Sequence, residues 1–250
     1  MIIIKSRDEI KKMVKASEIV AEAILAIKGV IAPNVTTREL DQIAEAVIKS
    51  RGGEPAFKGY RGYPASICTS VNSEVVHGIP SSGVRLQEGD IVSIDLGVIY
   101  KGFIGDAAVT VPVGQIPAET ERLLKITEQA LYMGIEKATP DNRVSDISNA
   151  IQRFVESNGY SVVKAFVGHG VGRSLHEEPQ IPNFGPPGKG PVLREGMTLA
   201  IEPMVNEGSY KVNILKDGWT AKTADGKLSA HFEHTVLVAK NHPKILTKWA

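Results

Sequence analysis

Cysteine is almost missing from this sequence. Cys68 is the single one in 250 residues, so no disulfide can form within the chain, which suits a reducing compartment. Long apolar runs are missing too, and nothing approaches the ~20 residues that a membrane helix needs. The opening run Met1-Ile2-Ile3-Ile4 stops at Lys5. It is too short for a signal peptide, and a charged helical pattern follows at once. Charge of one sign is also absent: 29 Lys and Arg against 28 Asp and Glu give a formal net charge of +1. Composition therefore gives no electrostatic case for a nucleic-acid or membrane partner. These absences predict a soluble, cytoplasmic protein. What is present, 42% hydrophobic and 23% charged residues, is enough for a sizeable core in one large domain or two small ones.

Hydrophobic periodicity predicts a helix over 7–30, with Ile10, Met13, Val14, Ile19, Val20, Ala23 and Ile24 at helical spacing. Pro33 ends it. Thr36 or Thr37 can cap a second helix that carries Leu40, Ile43, Ala44, Val47 and Ile48 and stops at Gly52. A loop from Gly59 to Pro64 follows, then strand patterns at 65–70, 91–99 and 103–113. The same order recurs: a helix over 118–138, a break at Pro140, a helix bearing Ile147, Ala150, Ile151, Phe154 and Val155, and strands near 161–167, 197–205 and 231–239. The offset is constant at 107 residues. Pro33 maps to Pro140, Ser50 to Ser157 and Gly52 to Gly159, and Leu86-Gln87-Glu88-Gly89 maps to Leu193-Arg194-Glu195-Gly196. In this register Ile94-Asp95 falls on Ile201-Glu202. A duplicated helix-helix-strand unit, with halves of roughly 1–115 and 116–250 in a single domain spanning 1–250, packs about a pseudo-twofold axis. A site between the halves can draw ligands from both.

Several carboxylates stand where a core residue is expected. Asp95 interrupts Ile91-Val92-Ser93-Ile94-Asp95-Leu96-Gly97-Val98-Ile99, Glu202 follows Leu199-Ala200-Ile201, and Glu233 leads into Thr235-Val236-Leu237-Val238. Burying each as an unpaired charge is costly. Asp106 lies just past Gly102 and Gly105, and a hairpin turning near Lys101-Gly102 would bring it to Asp95. His169 sits in Gly168-His169-Gly170-Val171-Gly172, where backbone can approach a ligand closely. Any one of these alone reads as a satisfied polar residue or a loop histidine. Together they are four carboxylates beside an imidazole, and mutually close carboxylates would repel unless cations neutralise them. An oxygen-rich set with one nitrogen suits two divalent ions such as Mn, Fe or Co, and Zn is a further option. Two metals ~3.5–4 Å apart can activate a shared water. His77 and His176 both open an H-x-x-P sequence, and imidazoles there can be turn residues or can contact an amide or oxyanion. Glu177 and Glu178 read as solvated loop charges. His231 and His234 flank Glu233 as candidate supporting partners.

Seven motifs in this order resemble the type I methionine aminopeptidases, over nearly the whole chain. They are Lys58-Gly59-Tyr60-Arg61-Gly62-Tyr63-Pro64, Val75-Val76-His77-Gly78-Ile79-Pro80, Ile94-Asp95 with Gly105-Asp106, Gly168-His169-Gly170-Val171-Gly172, His176-Glu177-Glu178-Pro179, Ile201-Glu202-Pro203 and Glu233-His234-Thr235. The resemblance implies the pita-bread fold, an α/β (α+β) architecture with an antiparallel sheet and two metals between pseudo-symmetric halves. It implies Asp95, Asp106, His169, Glu202 and Glu233 as metal ligands, with Asp106 and Glu233 bridging. It implies that Glu202 handles the proton of a metal-bridging hydroxide that attacks the scissile carbonyl, while His77 and His176 contact substrate. Tyr60, Tyr63, Cys68 and Trp219 are implied as the methionine pocket, and an aromatic, sulfur-lined cavity suits a thioether. The implied substrates are nascent polypeptides with a small second residue, met by a monomer that can dock on ribosomes, with no specific nucleic acid and no membrane as partner. Leu175 and Phe57 depart from the residues that well-known relatives carry there and would reshape the pocket rim. Only 32 residues separate His169 from Glu202, too few for the helical insert of type II enzymes. The chain also opens directly on its first helix, without the extension of some eukaryotic type I members. Prolidases and aminopeptidases P share the fold but usually add a large N-terminal domain. A non-catalytic relative would have lost ligands that are all present here.

Overall fold

The computed structural model describes residues 1–249. Helices α1 (Arg7–Lys28) and α2 (Thr37–Ser50) open the chain. Strands β1 (Glu54–Pro55), β2 (Cys68–Val71) and β3 (Glu74–Val76) lead into a long hairpin, β4 (Ile91–Tyr100) and β5 (Phe103–Pro112). A second helical pair follows, α3 (Ala118–Ile135) and α4 (Val144–Ser157). The remaining strands are β6 (Ser161–Val162), β7 (Val167–Gly170), β8 (Glu177–Pro182), β9 (Thr198–Ile201), β10 (Met204–Asn206), β11 (Val212–Ile214), β12 (Ala221–Thr223), β13 (Ser229–His231), β14 (Glu233–Leu237) and β15 (Lys244–Ile245).

Local chemistry sets the helix starts. The Ser6 hydroxyl accepts the Glu9 N–H while the Glu9 carboxylate accepts the Ser6 N–H, which closes a capping box on α1. Thr36 and Glu39 repeat it on α2. Of the two candidate threonines, Thr36 is thus the cap, and the Thr37 hydroxyl instead exchanges hydrogen bonds with the Ser81 backbone. The 107-residue offset is visible in the backbone. Shifted by it, both ends of α2 fall on those of α4, and the end of α1 falls on the end of α3. The isolated bridge Thr36–Arg85 becomes Arg143–Val192, and Asn34 and Asp141 share the same left-handed φ of 74°.

A nine-stranded antiparallel sheet runs β1-β4-β5-β14-β9-β7-β8, with β2 added on β4 and β15 on β14. Two three-stranded sheets, β13-β10-β6 and β11-β12-β3, lie off it. Ile19, Val20, Ile24 and Ile27 of α1, Leu40 and Ile48 of α2, and Ile147 and Ile151 of α4 join Ile94 and Leu96 of β4 in one core cluster. This mixed helix and antiparallel-sheet architecture is the one the resemblance implies.

The strand pattern at 197–205 divides. β9 belongs to the large sheet and β10 to a small one, with Glu202-Pro203 between them. Pro203 has no N–H to carry the ladder onward. The pattern at 231–239 divides likewise, between β13 and β14 at Phe232. His234 pairs with Ile201 in one sheet, and Met204 pairs with His231 in the other. Both chains therefore change sheets at the same corner. The pattern at 161–167 also separates into β6 and the start of β7. Strands β1, β8, β11, β12 and β15 lie outside the expected patterns: β1 and β15 are two residues each, β11 and β12 three, and β8 carries two prolines, so none is long or regular enough to show a clear apolar alternation. Among the described residues, no helix is long and apolar enough to cross a membrane.

Candidate metal centre and substrate cavity

Register puts the first two carboxylates on one face. Asp95 pairs with Ala108, and Asp106 pairs with Gly97. Asp95 and Asp106 are therefore diagonal neighbours pointing the same way, since side chains alternate along a strand. Asp106 lies inside β5, within the strand pattern expected over 103–113. Cys68 on β2 is opposite Asp95. Across β14, Glu233 pairs with Ala108, which brings a third carboxylate to the same row. Glu202, just past the end of β9, and Glu233, at the start of β14, occupy the corner where the two segments change sheets. His169 on β7 is opposite Ala200 on β9, two residues before Glu202.

All five side chains line one cavity of about 360 Å³. His169 Nε2 is 3.4 Å from Glu202 Oε1 and 4.0 Å from Asp106 Oδ2. Its Nδ1–H donates to the Gly170 carbonyl at 2.9 Å, which leaves the Nε2 lone pair facing the carboxylates. Ligand atoms of Asp106, His169 and Glu233 lie within 4.8 Å of one another. Asp106 is locked from behind: its N–H donates to Thr235 Oγ1 at 2.9 Å, and that hydroxyl donates back to the Asp106 carbonyl at 2.8 Å.

The electrostatics call for cations. Asp95 Oδ1, Asp106 Oδ1 and Glu233 Oε1 are buried and have no hydrogen-bond partner. Burial pushes Asp106 up to about 7. Burial and then the neighbouring carboxylates push Asp95, Glu202 and Glu233 well above the carboxylate range. Burial holds His169 down at about 3, so it is a neutral imidazole. Buried carboxylate oxygens with no donors beside a neutral nitrogen are a donor set that divalent metal ions satisfy.

The predicted substrate residues gather around the same cavity. His77 follows β3, and burial lowers its pKa to about 4. His176 stands at the rim, its Nδ1 2.7 Å from the Tyr60 phenol and its ring centroid 4.3 Å from that of His169. Partial burial, and then the Arg61 guanidinium, lower its pKa. Tyr63 meets Trp219 edge-on at 5.1 Å, and its hydroxyl donates to the Gly78 carbonyl at 2.9 Å. Cys68 is buried, and that burial raises its thiol pKa. Phe57 and Leu175 also line the cavity.

The family can be read by comparison. The profile of metallopeptidase family M24 matches residues 11–240. The chain belongs to this family. A methionine aminopeptidase of Clostridium perfringens is 57% identical over 247 residues, covering 99% of both chains. The solved methionine aminopeptidase of Thermotoga maritima superimposes with a TM-score of 0.98 at 50% identity, over 99% of this chain and 100% of that one. The prolidase of Pyrococcus horikoshii matches at 0.81 and 29% identity, over 99% of this chain but 64% of its own. The fold is the pita-bread fold.

In this M24 chain some residues serve differently from their sequence reading. The glycines around His169 admit protein rather than ligand: a Cβ at Gly170 would meet the Glu178 carbonyl, and one at Gly168 the Ala200 carbonyl. Glu177 is no solvated charge. Its carboxylate is buried against Lys5 at 2.6 Å, whereas Glu178 is exposed. His231 lines the cavity, with Nε2 3.8 Å from Glu202 Oε2. His234 turns away, and its Nδ1 is 3.0 Å from Thr247 Oγ1. Phe166, Val76 and Met204 complete the wall. None was singled out, because an apolar residue in an apolar stretch carries no local signal. Thr235 carries no signal of its own in the sequence, because its lock on Asp106 joins residues 129 apart.

Proposed function

We propose that this protein removes the N-terminal methionine from newly made polypeptides whose second residue is small. The observation that carries the reading is one cavity that joins a buried carboxylate-imidazole cluster to an aromatic and apolar wall. The wall of Tyr60, Tyr63, Cys68 and Trp219 takes the methionine side chain, whose thioether needs apolar and polarisable contacts but no charge. Asp95, Asp106, His169, Glu202 and Glu233 would hold two divalent ions, Co, Mn, Fe or Zn. When bound, such ions act as Lewis acids that polarise a water molecule and the scissile carbonyl. Glu202 takes the proton of the attacking water and passes it to the leaving amine. His176 donates a hydrogen bond to the oxygen that becomes the oxyanion, and His77 contacts the amide being cut.

This reading treats residues 1–250 as one catalytic domain with halves of roughly 1–115 and 116–250. It assigns the protein to the cytoplasm, as a monomer that meets nascent chains at the ribosome. Support for methionine over proline chemistry comes from the full-length match to the methionine aminopeptidases, against a prolidase of which the chain spans 64%.

The test is purified protein, stripped with chelator, reloaded with one metal at a time and given Met-Ala-Ser, Met-Leu-Ser and X-Pro peptides. Methionine release from Met-Ala-Ser in preference to Met-Leu-Ser is expected. Release from X-Pro peptides alone would overturn the assignment.

A further inference from the structure

The loop that carries His176 is fastened to the start of the chain. Residues 171–176 connect β7, which holds His169, to β8, which begins at Glu177. One oxygen of the Glu177 carboxylate accepts the N–H groups of Arg173 at 2.8 Å and Ser174 at 3.3 Å, closing a turn just before His176. The other oxygen meets Lys5 Nζ at 2.6 Å, and both side chains are almost fully buried, 2% and 6% exposed. Lys5 is itself pinned, since its N–H donates to the Gly196 carbonyl at 2.9 Å. Gly172 lies flat on the pair, and a Cβ there would collide with the Lys5 side chain. Gly172 also accepts the Ile104 N–H at 2.8 Å, which ties the loop to β5. At the surface, Arg173 adds a second link to the N-terminal helix through Glu9 at 3.0 Å.

A buried ion pair is weak evidence for stability, because desolvation consumes most of the Coulomb gain. What such a pair fixes is geometry. Here it fixes the residue next to the imidazole assigned to the oxyanion. We propose that Lys5 is a positioning residue for His176, acting through Glu177 to hold the 171–177 loop so that the ring faces the cavity. This rests on the substrate role given to His176 above. Neither Lys5 nor Glu177 touches the reacting atoms. Both act through the neighbouring imidazole.

The experiment compares Lys5→Met, Lys5→Arg and the double variant Lys5→Met/Glu177→Met with wild type. It reads steady-state kinetics on Met-Ala-Ser and the imidazole resonances of His176 in zinc-loaded protein carrying 15N-histidine. Lys5→Met is expected to lower kcat by about tenfold or more, the scale of a small misplacement of a reacting group, with KM within about twofold. It should also displace the His176 resonances. Lys5→Arg keeps the ion pair and should stay near wild type. The double variant removes both charges, so it folds even where the single one does not. It should recover the thermal midpoint but not kcat, since Arg173 and Ser174 have lost their acceptor. A double variant with wild-type kcat and wild-type His176 resonances would overturn the proposal and leave the pair a purely structural one. His176→Asn, run alongside, separates the two claims. Retained kcat there removes His176 from turnover, yet displaced resonances in the Lys5 variants still establish that Lys5 holds the ring.

Discussion

The Tyr60 phenol oxygen lies 2.7 Å from Nδ1 of His176. When the phenol donates, the imidazole keeps its own proton on Nε2, the nitrogen not engaged by Tyr60. One side chain lining the cavity thus orients another. Tyr60→Phe keeps the aromatic wall and removes only this bond. It is expected to lower kcat on Met-Ala-Ser by roughly tenfold, below the ~100-fold or more of a deleted oxyanion donor, with KM nearly unchanged. Steady-state kinetics decide it. A raised KM at constant kcat would make Tyr60 a binding residue alone.

Glu202→Gln should leave the fold intact, because Glu202 lies at a strand corner and its backbone carbonyl, not its side chain, accepts the Asn183 amide at 3.0 Å. Proton exchange at the attacking water should be lost. Turnover is expected to fall by at least ~100-fold, with an unchanged circular dichroism spectrum. Activity equal to wild type would remove Glu202 from the mechanism.

Metal should stabilise this protein in a pH-dependent way. Burial raises the Asp106 pKa to about 7 from 3.8, so the folded metal-free protein holds a proton that the unfolded chain gives up. That contribution is full below pH 3.8 and is lost as pH rises through about 7. Divalent ions replace the proton. At a hundredfold excess over Kd the gain is about 2.7 kcal/mol, or roughly 5–10 °C for a chain of this size. Thermal shift with Mn or Co should therefore be larger at pH 7.5 than at pH 5.5, and equal shifts would count against a carboxylate site.

The hydroxyl of Thr235 accepts the buried Asp106 N–H at 2.9 Å. Thr235→Val keeps the volume but strands that donor and also removes a bond to the Asp106 carbonyl. A loss of about 1–3 kcal/mol is expected in urea unfolding, together with weaker metal binding by titration.

Burial lowers the His77 pKa to about 4 from 6.5. The unfolded chain binds this proton first as pH falls. The stability tied to the neutral ring is therefore full above pH 6.5 and is lost as pH falls through about 4. His77→Phe should flatten the dependence of unfolding free energy on pH in that window, by up to about one proton. An unchanged slope would mean that the ring is not buried in solution.

The helices were legible because their signals are local. A cap at Thr36 or Thr37 and apolar residues at helical spacing are written within single segments, whereas the capping box at Ser6 came to light only in the structure. The duplicated unit was legible because an offset of 107 residues survives in the sequence itself. Candidate ligands were legible one at a time, as acids where apolar residues belong. The division of the strand patterns at Pro203 and Phe232 was not, because a sheet change is decided by which partners each half finds. Nor was Glu177, whose charge looks solvated until Lys5 arrives from the other end of the chain, 172 residues away.

The sequence by itself determined the helical pairs, the repeat, the family and the residue types at the metal centre. Each of these follows from chemistry or similarity that a short stretch already carries. Only the tertiary structure decided that Asp95 and Asp106 are diagonal rather than opposite, that His231 faces the cavity while His234 turns away, and that Tyr60 meets His176 while Lys5 meets Glu177. Register, burial and ion pairing at this distance depend on where other segments lie. A side chain's neighbours in space are fixed by packing, and sequence spacing does not reach them.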